Sequence, residues 1–372
     1  MKILFLCGCL EPGHDGVGDY TRRLAGELTR QGHQVLLLAL NDGCVAKEVV
    51  ESQEEDGLAL PVVRLPAAWS ASRRFGCGSA WVEQYDPQWL SLQFVLFGYH
   101  PKGLPYGLGR RMAHLGRGRR WHLMLHELWV GIAANDTLKH RLWGWLQMAI
   151  TKDLLRAIKP EVIHTQCTLY LNYLSIHRVA AQCLPLFSNI KVVEAAQAPG
   201  DPAEIANCAA APNRLILFGG LHPSSSLEAL MVAVKQFYAA RKQGFVFWYV
   251  GRNGKELLTH RQLLAKHGIA YQLFGEQSPQ VISRLLSLAT VGIATGPPET
   301  LERNGTVAAM LDHGLPILCV GRRLRMRKVG PVPMMAGTYL PLDLERVLAH
   351  PARVRSLHTL PDVAAQFVQA LA

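Results

Sequence analysis

Short apolar runs alternate with amphipathic stretches along most of the chain. Residues 3–7 are an apolar run, a glycine-rich loop follows at 11–18, and 19–31 carries helical spacing with Leu24 and Leu28 on one face. Gly32 is placed to stop that helix, and 34–40 is a second apolar run. The opening therefore reads strand, loop, helix, strand: one βαβ unit of a parallel sheet. Further strands are predicted at 89–95, 122–125, 162–164 and 191–195, with a helix at 141–158 among the segments between them.

The stretch 198–212 is rich in Pro, Ala and Gly and poor in bulky apolar residues, so it reads as an interdomain linker. The alternation then restarts. Strands are predicted at 214–218, 245–250, 271–274, 291–294 and 316–320, and helices at 226–241, 256–267, 279–288, 306–313 and 361–371. Gly268 and Gly314 stand as helix stops, and Ser224–Ser226 include candidate N-caps. Repeated βα alternation implies parallel sheets covered by helices on both faces. The predicted organisation is α/β: a first Rossmann-like doubly wound domain over 1–197 and a second over 213–372, facing a cleft. The closing helix at 361–371 is a candidate to pack back on the first domain. Ligands in such sheets bind at the carboxyl ends of the strands.

Composition narrows the class. Of 372 residues, 49% are hydrophobic and 18% charged, which excludes disorder as the main state. No apolar run approaches the ~18 residues of a membrane helix, and the first run is too short for a secretory leader. The net charge of +11 is spread over both halves, with clusters at 110–120 and 322–328. Such clusters suit anionic partners or are solvated faces. The eight cysteines form no CxxC pair and match no zinc spacing. They read as reduced thiols in a cytoplasmic protein, and the basic residues permit peripheral contact with an anionic membrane.

Candidate chemistry falls in the loops after strands. Gly16-Val-Gly18 opens a helix, where glycines admit a close ligand and backbone N–H groups suit phosphate. It is not the dinucleotide fingerprint, because Thr21 stands where a third glycine is needed. His126-Glu127 follows a strand directly, as a ligand-facing donor with an orienting carboxylate or as a structural histidine. Gly219-Gly220-Leu-His222-Pro223 sits between a strand and a helix, suited to an anion or to simple capping. The segment from Pro298 to Pro316 places Glu302 and a turn at 304–306 at a helix start. A carboxylate there suits sugar hydroxyls, and the amides of 304–306 suit a phosphate. The aromatic stretch 93–100 and Trp129 are candidates for an acceptor pocket or for core packing.

Together these motifs resemble the GT-B-fold glycosyltransferases, specifically glycosyltransferase family 4 and its relatives. The resemblance spans most of the chain. It rests on Gly-Val-Gly-Asp-Tyr-Thr at 16–21, Gly32-His33, Gln93 in Leu-Ser-Leu-Gln-Phe, Leu-His126-Glu127-Leu-Trp129, and Leu-Phe-Ser-Asn-Ile at 186–190. It continues in Leu-Phe-Gly-Gly-Leu-His-Pro at 217–223, Tyr-Val-Gly-Arg at 249–252 and the block from Glu302 to Pro316. It implies transfer of a hexose-type sugar from a nucleotide-sugar donor, retaining and without metal or other cofactor, to a saccharide, lipid-linked or small-molecule acceptor. No nucleic-acid partner is implied. His126 and Glu302 would contact the transferred sugar. Gly16, Gly18, Gly220, His222, Arg252, Asn304, Gly305 and Thr306 would hold the donor. Asp19, Gln93 and Glu127 would lie on the acceptor side.

Two positions depart from the family pattern. Ala309 stands where the family's ribose-binding glutamate falls, and the loop after the second domain's first strand reads His222-Pro223 and serines instead of an Arg and a Lys. Arg252, Lys255, His222 or Arg322-Arg323 would have to supply the missing charge. Rival classes are an epimerase or phosphorylase on the same architecture, a non-catalytic protein binding an anionic partner, and a nicotinamide dehydrogenase with Asp42 as ribose reader. No pyridoxal, helix-turn-helix, zinc-finger or RNA-binding motif is present.

Overall fold

The computed structural model describes residues 1–193, 213–223, 225, 227–354 and 358–372. The predicted linker at 198–212 and the candidate caps Ser224 and Ser226 lie outside the described residues. The chain divides into two compact units. The first comprises Met1–Pro185, Arg325–Gly330 and Leu360–Ala372, and the second Leu186–Leu324 and Pro331–Thr359.

The first unit is built on β1 (Lys2–Cys7), β2 (Gln34–Asp42), β3 (Val49–Glu55), β4 (Leu58–Pro66), β5 (Trp89–Phe94), β6 (Arg120–Leu125), β7 (Val162–Thr165) and β8 (Gln182–Cys183), in the order β3-β4-β2-β1-β5-β6-β7-β8. All neighbours are parallel except the β3–β4 hairpin. The central strands are buried almost throughout, which is why they read as continuous apolar runs. The sheet is flanked by α1 (Gly16–Arg30), α2 (Ala71–Tyr85), α3 (Leu108–Leu115), α4 (Leu138–Ile158) and α5 (Thr168–Ile176).

Several expectations are corrected here. The hairpin β3–β4 was not predicted. It turns at Asp56 and Gly57, both with positive φ, as a two-residue hairpin loop requires. Two helices were not predicted: residues 71–85 form a full helix capped by the Ser70 side chain on the Arg73 amide, and residues 108–115 form α3. No strand forms at 191–193, and the rest of that predicted strand lies outside the described residues.

The second unit contains β9 (Asn213–Gly220), β10 (Phe245–Asn253), β11 (Tyr271–Gly275), β12 (Val291–Ala294), β13 (Ile317–Cys319) and β14 (Thr338–Tyr339), all parallel in the order β11-β10-β9-β12-β13-β14. Its helices are α6 (Leu227–Ala240), α7 (Glu256–Lys266), α8 (Pro279–Leu288), α9 (Gly305–Asp312) and α10 (Leu344–Ala349). One apolar cluster packs α6 and α10 on one face of the sheet, and another packs α8 and α9 on the opposite face. The last helix, α11 (Leu360–Leu371), belongs to the first unit: Phe367 stacks on Phe5 of β1 at 5.8 Å.

In each sheet the winding reverses once. The reversal lies between β1 and β5 in the first unit and between β9 and β12 in the second. Loops leave the carboxyl ends of two neighbouring strands in opposite directions there, which opens a crevice for a ligand.

Candidate functional site

A cavity of about 150 Å³ opens at the reversal in the second unit. Its lining brings together Gly220, His222, Asn304 and Thr306, four of the residues singled out in the sequence, with Thr295 and Gly296. The backbone dictates much of this shape. Gly219 has φ +83°, and a Cβ on it would lie 2.5 Å from Thr306 Cγ2. Asn253, at the end of β10, donates from Nδ2 to the Gly219 carbonyl at 2.8 Å. The Thr295 hydroxyl accepts the His222 amide at 2.9 Å, fixing the loop that carries His222. A Cβ on Gly321 would fall 2.0 Å from the Gly296 carbonyl oxygen, so the loops after β12 and β13 touch backbone to backbone. Thr295, Gly296, Asn253 and Gly321 were not singled out in the sequence. Only the strand-end position of Thr295 and Gly296 signals them.

Asn304 caps α9: its Oδ1 accepts the Thr306 amide at 3.0 Å, the Val307 amide at 3.4 Å and the Thr306 hydroxyl at 2.8 Å. The Asn304 amide donates to Leu301 O at 2.9 Å. The expectation that the amides of 304–306 together hold a phosphate is thus corrected, because two of the three are used inside the fold. Gly305 begins the helix with nothing within 4 Å of a Cβ position. Glu302 lies half-buried in a 3-10 turn and does not line the cavity. The buried carboxylate of that turn is Glu299, which accepts Arg323 Nε at 2.9 Å and the Leu324 amide at 2.8 Å. Arg323 is therefore engaged in holding a loop. Arg252 is also outside the lining, exposed and paired with Glu276 at 2.9 Å. Ala309 is fully buried in the core. Among the described residues, His222 is the one titratable side chain on the cavity wall.

In the first unit, Asp15 caps α1 by accepting the Val17 amide at 2.9 Å. Gly18 lets α1 approach the β1 loop, since a Cβ there would lie 2.7 Å from Cys9 O, whereas Gly16 has open space. Asp19 pairs with Arg22 and accepts the Gly13 amide at 3.0 Å, so its carboxylate braces the glycine loop. Glu127 lies half-buried just past β6. Asp42 does not await a ribose. It is fully buried, takes Arg64 Nε at 2.8 Å, and accepts the Leu10 and Cys44 amides. Burial alone would raise this carboxyl, but those hydrogen bonds outweigh it and hold it below its ordinary value.

His126 sits at the carboxyl end of β6, buried, with the Tyr20 ring edge-on at 5.0 Å. Its Nε2–H donates to Gln93 Oε1 at 2.9 Å. Gln93 Nε2 donates to Ser91 Oγ at 2.8 Å, Ser91 Oγ–H to His122 Nδ1 at 2.8 Å, and His122 Nε2–H to His164 Nδ1 at 2.9 Å. These bonds close in one consistent sense with every imidazole neutral. Burial drives His126 down to about 3 and His164 to about 4. Burial, with His164 and His126 nearby, holds His122 well below its ordinary value. Sequence reading found Gln93 and His126 but not Ser91, His122 or His164.

A cavity of about 280 Å³ in the first unit is lined by Trp129, Trp145, Tyr173, His177, Arg141 and Lys328 among others. Trp129 and Tyr173 pack at 5.7 Å, and Arg327 Nη2 donates to Gly131 O at 2.9 Å, tying the segment 325–330 to this wall. Leu138, Leu142 and Trp145 are exposed at i, i+4 and i+7 of α4. In the 93–100 stretch, Phe94 stacks on Tyr99 at 6.1 Å and Phe97 is exposed. No described helix is long and apolar enough to cross a membrane.

Comparison with solved structures places the chain in the GT-B fold. It is similar to sucrose-phosphate synthase from Thermosynechococcus elongatus, with TM-score 0.63 and 17% identity over 100% of this chain and 95% of that one. It is similar to HepE of Anabaena in complex with UDP-glucose, with TM-score 0.56 and 13% identity over 99% and 94%. UDP-GlcNAc 2-epimerase from Methanocaldococcus jannaschii gives TM-score 0.55 and 9% identity over 100% and 99%. No protein-family model and no curated protein matches the sequence.

Proposed function

We propose that the chain is a glycosyltransferase that takes a hexose-type sugar from a nucleoside-diphosphate donor to an acceptor hydroxyl, with retention and in the manner of glycosyltransferase family 4. The observation that carries this is the cavity at the winding reversal of the second sheet, lined by Gly220, His222, Thr295, Asn304 and Thr306. Tight backbone, hydroxyl and amide donors and one imidazole suit a phosphorylated ligand bound by positioning rather than by a fixed cation. The GT-B fold and the donor-site motifs support the same reading, and so does a similar structure that holds UDP-glucose.

The transfer step needs no protein nucleophile. The bond from the anomeric carbon to the diphosphate oxygen breaks, the acceptor oxygen bonds to that carbon, and the leaving phosphate takes the acceptor's proton. Glu302, Gly305 and Arg252 enter as donor-contacting residues only if the ligand reaches beyond the cavity wall. Neutral His126, with its Nε2–H given to Gln93 and a further side-chain hydrogen bond with Gln166, enters the step as a positioning group and not as an acid. No metal or prosthetic group is assigned to the step.

On the acceptor side, the aromatic and cationic wall of Trp129, Trp145, Arg141 and Lys328, beside the exposed Leu138, Leu142 and Trp145, favours an amphiphile with an anionic head. A lipid-linked saccharide at the face of an anionic membrane fits this, in a cytoplasmic protein. The test is nucleoside-diphosphate release from a panel of nucleotide sugars with and without lipid-linked acceptors. Release that requires the acceptor supports transfer. Donor altered without any acceptor indicates an epimerase, and no turnover with binding only to anionic vesicles indicates a non-catalytic scaffold.

A further inference from the structure

Cys9 and His14 share one loop, Cys44 lies 30 residues beyond His14, and the three match no linear metal pattern, yet the fold gathers them. Their Sγ and imidazole nitrogen donors lie within 4.8 Å of one another. Cys9 and His14 come from the β1–α1 loop, and Cys44 from the turn that follows β2.

One carboxylate sets the two thiol-bearing loops side by side. Buried Asp42 accepts the Leu10 amide at 3.1 Å from the first loop and the Cys44 amide at 2.9 Å from the second. Its Oδ1 also lies 3.5 Å from Cys9 Sγ. Arg64 holds Asp42 from β4 and pairs with Glu11. Arg22 and Gln53 both donate to Leu10 O, at 3.1 and 3.0 Å. The backbone under the cluster is thus fixed before any ligand arrives, and an ion would not bear the ordering cost alone.

We propose that Cys9, His14 and Cys44 form a binding site for a borderline-soft divalent cation of the zinc class. Two thiolates and an imidazole are the donor set that such ions select over magnesium or calcium. A tetrahedral ion with Zn–S near about 2.3 Å sets neighbouring donors about 3.8 Å apart. From a cluster within 4.8 Å, side-chain rotation closes it. His14 and Cys44 are exposed, so the fourth position is left to water. Binding expels the thiol protons to solvent. The ion would staple the loop that precedes Gly16 to the turn after β2. It has no part in the transfer step and does not depend on that assignment.

The test is cobalt titration of the full chain, stripped of metal and kept reduced with a phosphine. One equivalent should give the thiolate-to-cobalt charge-transfer and tetrahedral visible bands, and zinc should bleach them. Cys44→Ser, exposed and so tolerated by the fold, should lose at least about 100-fold in affinity, the upper end of what removing an outer-shell partner costs. His14→Gln should weaken binding and alter the visible bands. Cys183→Ser, an exposed thiol elsewhere in the unit, should leave the titration unchanged. Absence of thiolate bands, or bands that persist in both Cys44→Ser and His14→Gln, overturns the site.

Discussion

Gln93 Oε1 accepts the Nε2–H of His126 across 2.9 Å, from one buried strand to the end of the next. That bond fixes the tautomer of the ring, and the same amide's nitrogen begins the run through Ser91 to His122 and His164. His126 is therefore the end of a buried polar network.

Replacing Gln93 tests this coupling. Gln93→Met removes both amide bonds while keeping volume, and should cost about 1–3 kcal/mol in urea unfolding because buried donors lose partners. Gln93→Glu should raise the His126 pKa from about 3, read by NMR titration of the ring. An unchanged pKa in Gln93→Glu would contradict the bond.

Stability should depend on pH through these histidines. Their native pKa values lie below the unfolded value near 6.5, so between about 4 and 6.5 the unfolded chain binds more protons than the native one. Stability should rise with pH across that window and be lost as pH falls. The slope is at most about 1.4 kcal/mol per pH unit for each group. His122→Asn should flatten the slope by one histidine's share, measured by urea unfolding across the window.

Asn304 separates capping from ligand binding. Asn304→Ala should destabilise by about 1 kcal/mol through loss of the cap. Asn304→Asp keeps an oxygen cap, and stability should change little. Its negative charge beside the cavity should still weaken nucleoside-diphosphate binding severalfold or more, read by calorimetry together with the melting temperature.

At Gly219 the constraint is doubled: positive φ and a 2.5 Å approach to Thr306 Cγ2. Gly219→Ala should cost about 1–2 kcal/mol for the backbone alone and reduce nucleotide affinity. Adding Thr306→Ser removes the methyl but leaves the strain, so the double variant should recover part of the stability. Full additivity of the two changes in a double-mutant cycle would contradict the contact.

Much of the fold was legible because central parallel strands are buried on both faces, as in β1, β5, β9 and β12. The hairpin escaped because β3 is a mostly polar edge strand, although Asp56-Gly57 carried the turn signal. Helix α2 escaped because Gly76 and Gly78 interrupt its helical pattern. Gly78 instead lets Leu40 and Leu115 pack against the helix, where a Cβ would lie 2.9 and 3.0 Å from them. Gly220, His222, Asn304 and Thr306, which share the cavity of the second unit, were legible because they lie at strand and helix ends. Ser91, His122 and His164 were not, since their meaning is pairing across three strands. Arg64 with Asp42 belongs to the same class: only the sheet order shows that Asp42 is already engaged.

The most direct measurement is a thermal-shift and calorimetric panel of nucleoside diphosphates and their sugar conjugates on the full chain. At ~100 Kd a true donor should stabilise by about 2.7 kcal/mol. One base should be selected, and the gain should shrink in Asn304→Asp. If no nucleotide or nucleotide sugar shifts the wild-type transition, the cavity between β9 and β12 is not a donor site, and the transferase assignment falls with it.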